Sequence, residues 1–128
     1  MTYRLIIDGK LPCLNDYISE CNRNKLCGAK LKKQTEMLIA VFIRKQLRGV
    51  KIEKPTTVDF SWHEPNKRRD WDNVSFAKKF ILDALVSCKV LKNDNQVHVT
   101  GFTDSFFVDA DNPRIEVVLR EAGADDGN

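Results

Sequence analysis

Alternation of polar and apolar side chains over residues 56–64, TTVDFSWHE, is the feature that most restricts how this chain can fold. In an extended strand, Val58, Phe60 and Trp62 lie on one side, and the residues between them lie on the other. Such a strand is half-buried, so other elements must cover its apolar side. His63 belongs to the polar side and is expected at the surface rather than in a metal site.

Two segments with helical spacing of apolar residues are expected to provide that cover. The first spans about 32–48 and the second about 73–87. In the first helix, Met37 and Val41 lie among basic residues, away from the main apolar face. They predict a second, smaller buried surface, supplied by a partner subunit or by another part of the same chain. The main apolar face consists of Leu38, Ile39, Phe42, Ile43 and Leu47.

Three further strands are predicted over residues 3–8, 97–107 and 114–121. Residues 9–30 carry few periodic apolar side chains and are predicted to form a long loop. The order of elements is therefore β-α-β-α-β-β. The simplest fold that buries these faces is an α+β single domain, with two helices packed on a mixed, largely antiparallel four-stranded sheet.

Composition limits the class of protein. With 42% hydrophobic and 30% charged residues in a chain of 128, we expect one folded domain, over 1–121, followed by an acidic, flexible tail, 122–128. No apolar run approaches the roughly 18 residues of a membrane helix, and no secretory signal is recognisable, so the cytoplasm is the expected location. The four cysteines form no CxxC pair, which predicts free thiols and no zinc site.

Residues 67–79, KRRDWDNVSFAKK, combine two carboxylates with basic residues on both sides. Asp70 and Asp72 lie two positions apart, and charges of the same sign so close repel unless a cation lies between them. Carboxylate oxygens are suitable ligands for Mg²⁺ or Mn²⁺. The basic residues that precede the pair, and that suit backbone phosphates, are Lys67, Arg68 and Arg69.

The helical period indicates which lysine accompanies the carboxylates. Counted at about 100° per residue from Asp72, Lys79 and Asp83 return to within about 20° of it, away from the apolar face. Lys78 falls at the edge of the apolar stripe, so Lys79 is better aimed to stabilise charge on a phosphate or to help move a proton. A purely structural interpretation remains open: Asp72 can cap the helix, and Lys79 and Asp83 can form an i,i+4 ion pair.

A third acid would strengthen a metal site, and Asp94 in the segment LKNDNQV is the candidate. Turn formation explains an aspartate there equally well. A helix over 73–87 would be about 20 Å long. The residues from 87 to 94 span at most about 24 Å when extended, so Asp94 must either return tightly along this helix or come from a partner subunit.

Four segments together resemble the RusA family of Holliday junction resolvases: LPCLNDY at 11–17, RRDWDN, KKFILDALV and VLKNDNQV. Members carry an L-P-x-x-N-x-Y opening, a basic run into D-x-D-N, a helix with a lysine and a DAL-like segment, and an acidic loop before Q-V. The resemblance implies a small, homodimeric, magnesium-dependent endonuclease that cuts four-way junction DNA symmetrically during recombination and repair. Many members are encoded by phages or prophages.

The same resemblance implies roles for individual residues. Asp70, Asp72 and Asp94 would be the catalytic and metal-binding acids, and the essential lysine falls on Lys79 when the LDAL segment is the anchor. Counting forward from the first acids in shorter members would instead reach position 76, so the helix here carries a short insertion. Two alternatives of the same fold are a nuclease for flaps or forks and a DNA-binding protein that does not cleave. The opening motif falls on Asn15 and Tyr17, which would contact DNA.

Overall fold

A four-stranded mixed sheet forms the centre of the fold in the computed structural model, which describes residues 1–122. Its strands are β1 (Thr2–Asp8), β2 (Thr56–Glu64), β3 (Val99–Val108) and β4 (Arg114–Glu121), in the order β1-β4-β2-β3. Strand β4 is antiparallel to both β1 and β2, whereas β3 runs parallel to β2. The predicted α+β domain with a mixed, largely antiparallel sheet is confirmed. The predicted acidic tail lies, apart from its first residue, outside the described residues.

The alternation in β2 divides the sheet into two faces. Val58, Phe60 and Trp62 are buried together with the alternate apolar residues of β1 and β4. The opposite face is polar, and there the His63 ring stacks on Phe107 with centroids 4.7 Å apart. The helices pack on the apolar face, because their buried side chains belong to the same core as those of the strands.

Residues 1–122 form four helices, rather than the two predicted. They are α1 (Leu14–Arg23), α2 (Lys25–Gln46), α3 (Trp71–Ser75) and α4 (Lys78–Ser87). Within residues 1–122, none of them is both long and apolar enough to cross a membrane.

The prediction of a loop over residues 9–30 is wrong, because α1 and the start of α2 occupy it. Leu14, Tyr17, Ile18 and Cys21 recur at helical spacing in α1, so the period is present in the sequence, but no residue of this helix is buried. Contact with α2 stabilises it instead. At Gly28 the two helices approach so closely that an added Cβ would lie 2.3 Å from Cys21 Sγ. The Cys13 backbone N–H also donates to Asp16 Oδ2 at 2.9 Å and fixes the start of α1.

Helix α2 confirms most of its predicted apolar face, since Ile39, Ile43 and Leu47 are buried. Leu38 is an error in that prediction, with half of its surface exposed. Met37 and Val41 are also exposed, so no other part of the described chain buries them. Burial against a partner subunit stays a prediction.

The second predicted helix, 73–87, is interrupted between α3 and α4. At the junction the backbone bonds join residues three apart, from Ala77 N–H to Val74 O and from Lys79 N–H to Phe76 O. Such a turn is tighter than an α-helix and shifts the angular phase of the residues in α4 relative to those in α3. Phe76 lies at this turn and packs against Tyr17 of α1, with ring centroids 5.6 Å apart. A tertiary contact thus accompanies the break, and the helical period does not report it.

Candidate functional site

The acidic pair stands at the start of α3. Asp70 occupies the N-cap position with an extended backbone, and its side chain makes no capping hydrogen bond. Asp72 lies in the first turn, where its Oδ1 accepts from the backbone N–H of Asn73 at 3.0 Å. The structural interpretation in which Asp72 caps the helix is therefore wrong, because Asp70 occupies that position. Both side chains are exposed and, among residues 1–122, neither is neutralised by an ion pair.

Lys79 lies in the first turn of α4 between two carboxylates. Its Nζ is 3.1 Å from Asp83 Oδ1 and 3.4 Å from Asp94 Oδ2. The hydrogen bond to Asp83 is the largest cause that raises the pKa of Lys79, and the charge of Asp94 adds to it. Lys79 is therefore a cation at neutral pH. Asp83 is held in turn by Lys32 of α2, at 3.3 Å.

Asp94 reaches Lys79 within the same chain by turning back along α4. The backbone N–H of Ile52 donates to Val90 O at 2.8 Å and anchors the chain just beyond the helix. Asn93 Oδ1 then accepts from the backbone N–H of Asn95 at 3.0 Å, forming a tight turn around Asp94. The turn formed by Asn93 and Asn95 therefore holds the Asp94 carboxylate beside Lys79.

The neighbouring Lys78 has a different role. It forms an ion pair with Asp104 of β3, and its Nζ lies 4.3 Å from the centre of the Phe102 ring. Asp104 also accepts a hydrogen bond of 2.8 Å from Trp62 Nε1. Lys78 is therefore bound to the sheet, as its place at the edge of the apolar stripe predicted. Asp104 was missed by the sequence analysis, although it shares the strand parity of Phe102 and Phe106, which indicates the helix-covered face.

The opening motif lies against the acidic segment. The backbone N–H of Asn15 donates to Asn73 Oδ1 at 2.9 Å, next to Asp72. The Tyr17 ring packs on Phe76 and on Phe80, with centroids 5.6 and 6.1 Å away. The structure thus joins two motifs that are far apart in sequence. The contacts that it gives to both residues are internal, and their binding to DNA stays a prediction.

The three basic residues before the acids separate into two groups. Arg69 forms a bidentate pair with Glu64, at 2.8 and 2.9 Å, and donates to Leu11 O at 2.9 Å. Its side chain is only 16% exposed and that of Glu64 only 6%, so this pair holds the segment to the end of β2. Lys67 and Arg68 are exposed and have no acidic partner in the described part of the chain. Glu64 was also missed, although it continues the buried parity of β2.

Across residues 1–122, no group of three or more His, Cys, Asp or Glu side chains is placed to hold a metal ion. Asp94, paired with Lys79, is thus not gathered with Asp70 and Asp72 into a three-carboxylate site. The donor set still fits Mg²⁺, because this ion is commonly held by one or two carboxylates and completed by water and substrate phosphate. Asp70 and Asp72 are exposed hard-oxygen donors of that kind, and a ligand role for Asp94 stays a prediction. Neither models of known protein families nor curated proteins match this chain.

Proposed function

We propose that this protein is a magnesium-dependent endodeoxyribonuclease that resolves Holliday junctions by paired, symmetric nicks during DNA recombination and repair. The observation that supports it most is the contact of Lys79 with Asp94, 15 residues further on. These two residues match separate segments of the RusA-like pattern. If the match were due to chance, the two residues would not be expected to lie in contact. They meet at the start of the helix that follows Asp70 and Asp72.

Each site residue has a distinct task in this proposal. Asp70 and Asp72 would hold Mg²⁺, or Mn²⁺, which supplies Lewis-acid stabilisation of phosphate charge and a more acidic water. Lys79 stabilises the negative charge that develops on the phosphate, because its raised pKa keeps it protonated. Asp83 and Asp94 orient the ammonium group. Lys79 is therefore a source of positive charge and not a general base.

Lys67 and Arg68, whose side chains are exposed, contact the backbone phosphates on either side of the cleaved bond. Arg69 contributes differently, since its pair with Glu64 fixes the backbone that leads into the acidic pair. Symmetric cutting of two strands requires two sites related by a two-fold axis, so the acting form is a homodimer. We place it in the cytoplasm, where its four free cysteines stay reduced.

The test uses purified protein with a four-way junction, a flap and a linear duplex, in Mg²⁺ and in EDTA. We expect paired nicks in the junction only, and only with Mg²⁺. Asp70→Asn should abolish cleavage and retain junction binding, whereas the control Asp111→Asn, in the exposed turn after β3, should cut normally. Cutting by Asp70→Asn would refute the catalytic assignment. Preferential flap cleavage would indicate the branched-DNA alternative, and binding without cleavage by the unaltered protein would indicate the non-cleaving one.

A further inference from the structure

A basic cleft lies where the C-terminal ends of α2 and α4 meet the connection between α2 and β2. It consists of two adjoining cavities of about 390 and about 410 Å³, and both are lined by Lys51 and Lys89. The side chains that we call the basic cleft residues are Arg44, Arg48, Lys51, Lys89 and Lys92. The cleft is thus at the opposite end of α4 from Lys79, about 15 Å away along a ten-residue helix.

The charge of this cleft is unbalanced. Glu53 is its one carboxylate, against five cations. All five cationic side chains are exposed, and none forms an ion pair or a hydrogen bond with another residue between 1 and 122. Helix stabilisation accounts for Arg44, which lies in the last turn of α2, and the helix dipole also favours a cation at Arg48 and Lys89, just past the C-caps of α2 and α4. Lys51 and Lys92 lie outside the helices and have no such structural role.

The walls of the cleft are held rigidly. Ile52 pairs with Leu91 in an isolated bridge, and its N–H donates to Val90 O at 2.8 Å. Beneath the cations, Ile43 and Leu47 are buried in the core. The positions from which the cationic side chains project are therefore fixed before any ligand binds, which lowers the entropic cost of binding.

The backbone at Lys89 provides an independent indication. Lys89 has φ 63°, and it is the one residue other than glycine with positive φ in the described chain. It occupies the position just past the α4 C-cap, where Lys89 N–H donates to Val86 O and Val90 N–H donates to Leu85 O. Helices that end this way usually carry glycine there, because a side chain strains the left-handed conformation. A lysine at this position suggests that its side chain serves a purpose other than stability.

We propose that the basic cleft binds the phosphate backbone of nucleic acid, as a docking surface separate from the site around Lys79. The cations are spread over two adjoining cavities and remain exposed. That distribution suits a polymer with regularly spaced charges better than one small anion, which is bound by donors converging in an enclosed pocket. If the nucleic acid is DNA, this inference rests on the proposed function and extends it, because the cleft then holds the duplex beyond the position of the cut.

The first test is binding of four-way junction and of plain duplex to Arg48→Glu/Lys51→Glu, measured in EDTA so that cleavage has no influence. The matched control is Lys25→Glu/Lys33→Glu, which changes the net charge equally in the N-terminal half of α2. We expect the cleft variant to bind about tenfold more weakly or worse, and its logarithmic salt dependence to fall by about two. The control should bind close to the unaltered protein. Equal losses in both variants would refute a specific cleft.

The second test uses Lys89→Gly, in which binding and stability should change in opposite directions. Glycine relieves the strain at φ 63°, so the midpoint of thermal unfolding should rise. Loss of one phosphate contact should weaken DNA binding several-fold and lower the salt slope by about one. A merely structural lysine would not weaken binding while the fold becomes more stable. Unchanged affinity would overturn the inclusion of Lys89.

The outcomes also separate this proposal from the nuclease proposal. If the unaltered protein cuts nothing but its binding depends on the cleft, the nuclease function fails and the cleft stands. If the protein cuts junctions and Arg48→Glu/Lys51→Glu binds as before, the cleft fails and the nuclease stands. Polyglutamate serves as a further arm. If polyglutamate binds as tightly as DNA and its binding depends on the cleft in the same way, the proposal of a nucleic-acid ligand is overturned in favour of an acidic protein.

Discussion

Lys79 and Lys78 are adjacent in sequence but serve different parts of the molecule. Lys78 is bound to Asp104 and lies over the Phe102 ring, on the sheet. Lys79 points away from the sheet, between Asp83 and Asp94. Lys79 can approach a phosphate because its side chain is 58% exposed, whereas that of Lys78 is only 18% exposed.

Replacing Asp83 by Asn tests how Lys79 is kept charged. The hydrogen bond to Asp83 is the main cause of the raised pKa of Lys79, so its loss should lower that pKa. A folded pKa above the ordinary value keeps the ammonium protonated to higher pH. The alkaline limb of the cleavage profile should therefore move to lower pH in Asp83→Asn. Titration of the Lys79 side chain by NMR measures the pKa directly, even without cleavage.

The control for that experiment is Lys79→Arg in the Asp83→Asn background. Arginine stays charged throughout the accessible pH range, so it should restore activity at alkaline pH. If Asp83→Asn leaves both the NMR titration and the cleavage profile unchanged, Asp83 does not set the charge of Lys79.

Arg69 is expected to stabilise the fold more than it binds phosphate. Arg69→Met leaves the Glu64 carboxylate buried without a partner, and breaking such a pair costs about 3–5 kcal/mol. Arg68→Met, at an exposed position without a partner, should change the free energy of unfolding by less than about 0.5 kcal/mol. Urea unfolding of both variants provides the measurement. Equal stabilities would contradict the structural role, and a loss of DNA affinity alone would restore the phosphate-binding prediction for Arg69.

The polar face of the sheet is built around Glu116 of β4. Arg4 of β1 and Arg114 of β4 approach its carboxylate at 3.3 and 2.8 Å, and His63 of β2 lies 3.7 Å away. The two arginine pairs join β1 and β4, and the neutral His63 ring brings β2 into the same group. The two ion pairs compensate charges on the face opposite the helices. The bond to Arg114 is the largest cause that lowers the pKa of Glu116.

His63 makes this face sensitive to pH. Burial, followed by the charge of Arg114, lowers the pKa of His63 below its ordinary value of 6.5. The unfolded chain then takes up a proton at higher pH than the folded chain does. The free energy of unfolding should therefore fall as the pH drops from about 7 through 6.5 and below.

Urea unfolding at several pH values between 5 and 7.5 measures the effect. In His63→Gln, which keeps a planar polar group but does not titrate, the decline over this range should be smaller. Glu116, whose pKa is lowered from 4.5, loses its contribution only at more acidic pH, so the two residues act in different ranges. An identical decline in His63→Gln and the unaltered protein would contradict the assignment.

At the level of the whole molecule, the contact between Lys79 and Asp94 predicts that each site is completed within one chain. Mixed dimers of Asp70→Asn and Asp94→Asn chains should then have no intact site and should nick no junction. Dimers of unaltered and Asp70→Asn chains are the control, because one intact site should still nick one strand. Recovery of nicking in the first mixture would show that Asp94 acts across the dimer.

Local patterns in the sequence determined much of this protein. Strand β2 has the predicted bounds, because alternation depends only on neighbouring residues and one covered face. The helical period placed Lys79 and Asp83 together and away from the core, since residues four apart share a helix face. These features need no information about distant parts of the chain, and the sequence alone was sufficient for them.

Only the tertiary structure decided the rest. Helix α1 buries no residue of its own, and it lies in close contact with α2 at Gly28. The pair of Arg69 with Glu64 and the contact of Asp94 with Lys79 join residues that no local period relates. The physical reason is the same in each case: the contact depends on how the chain turns between its elements, and that is set by packing of the whole core. The acidic segment was recognisable from its residues, but its surroundings required the fold.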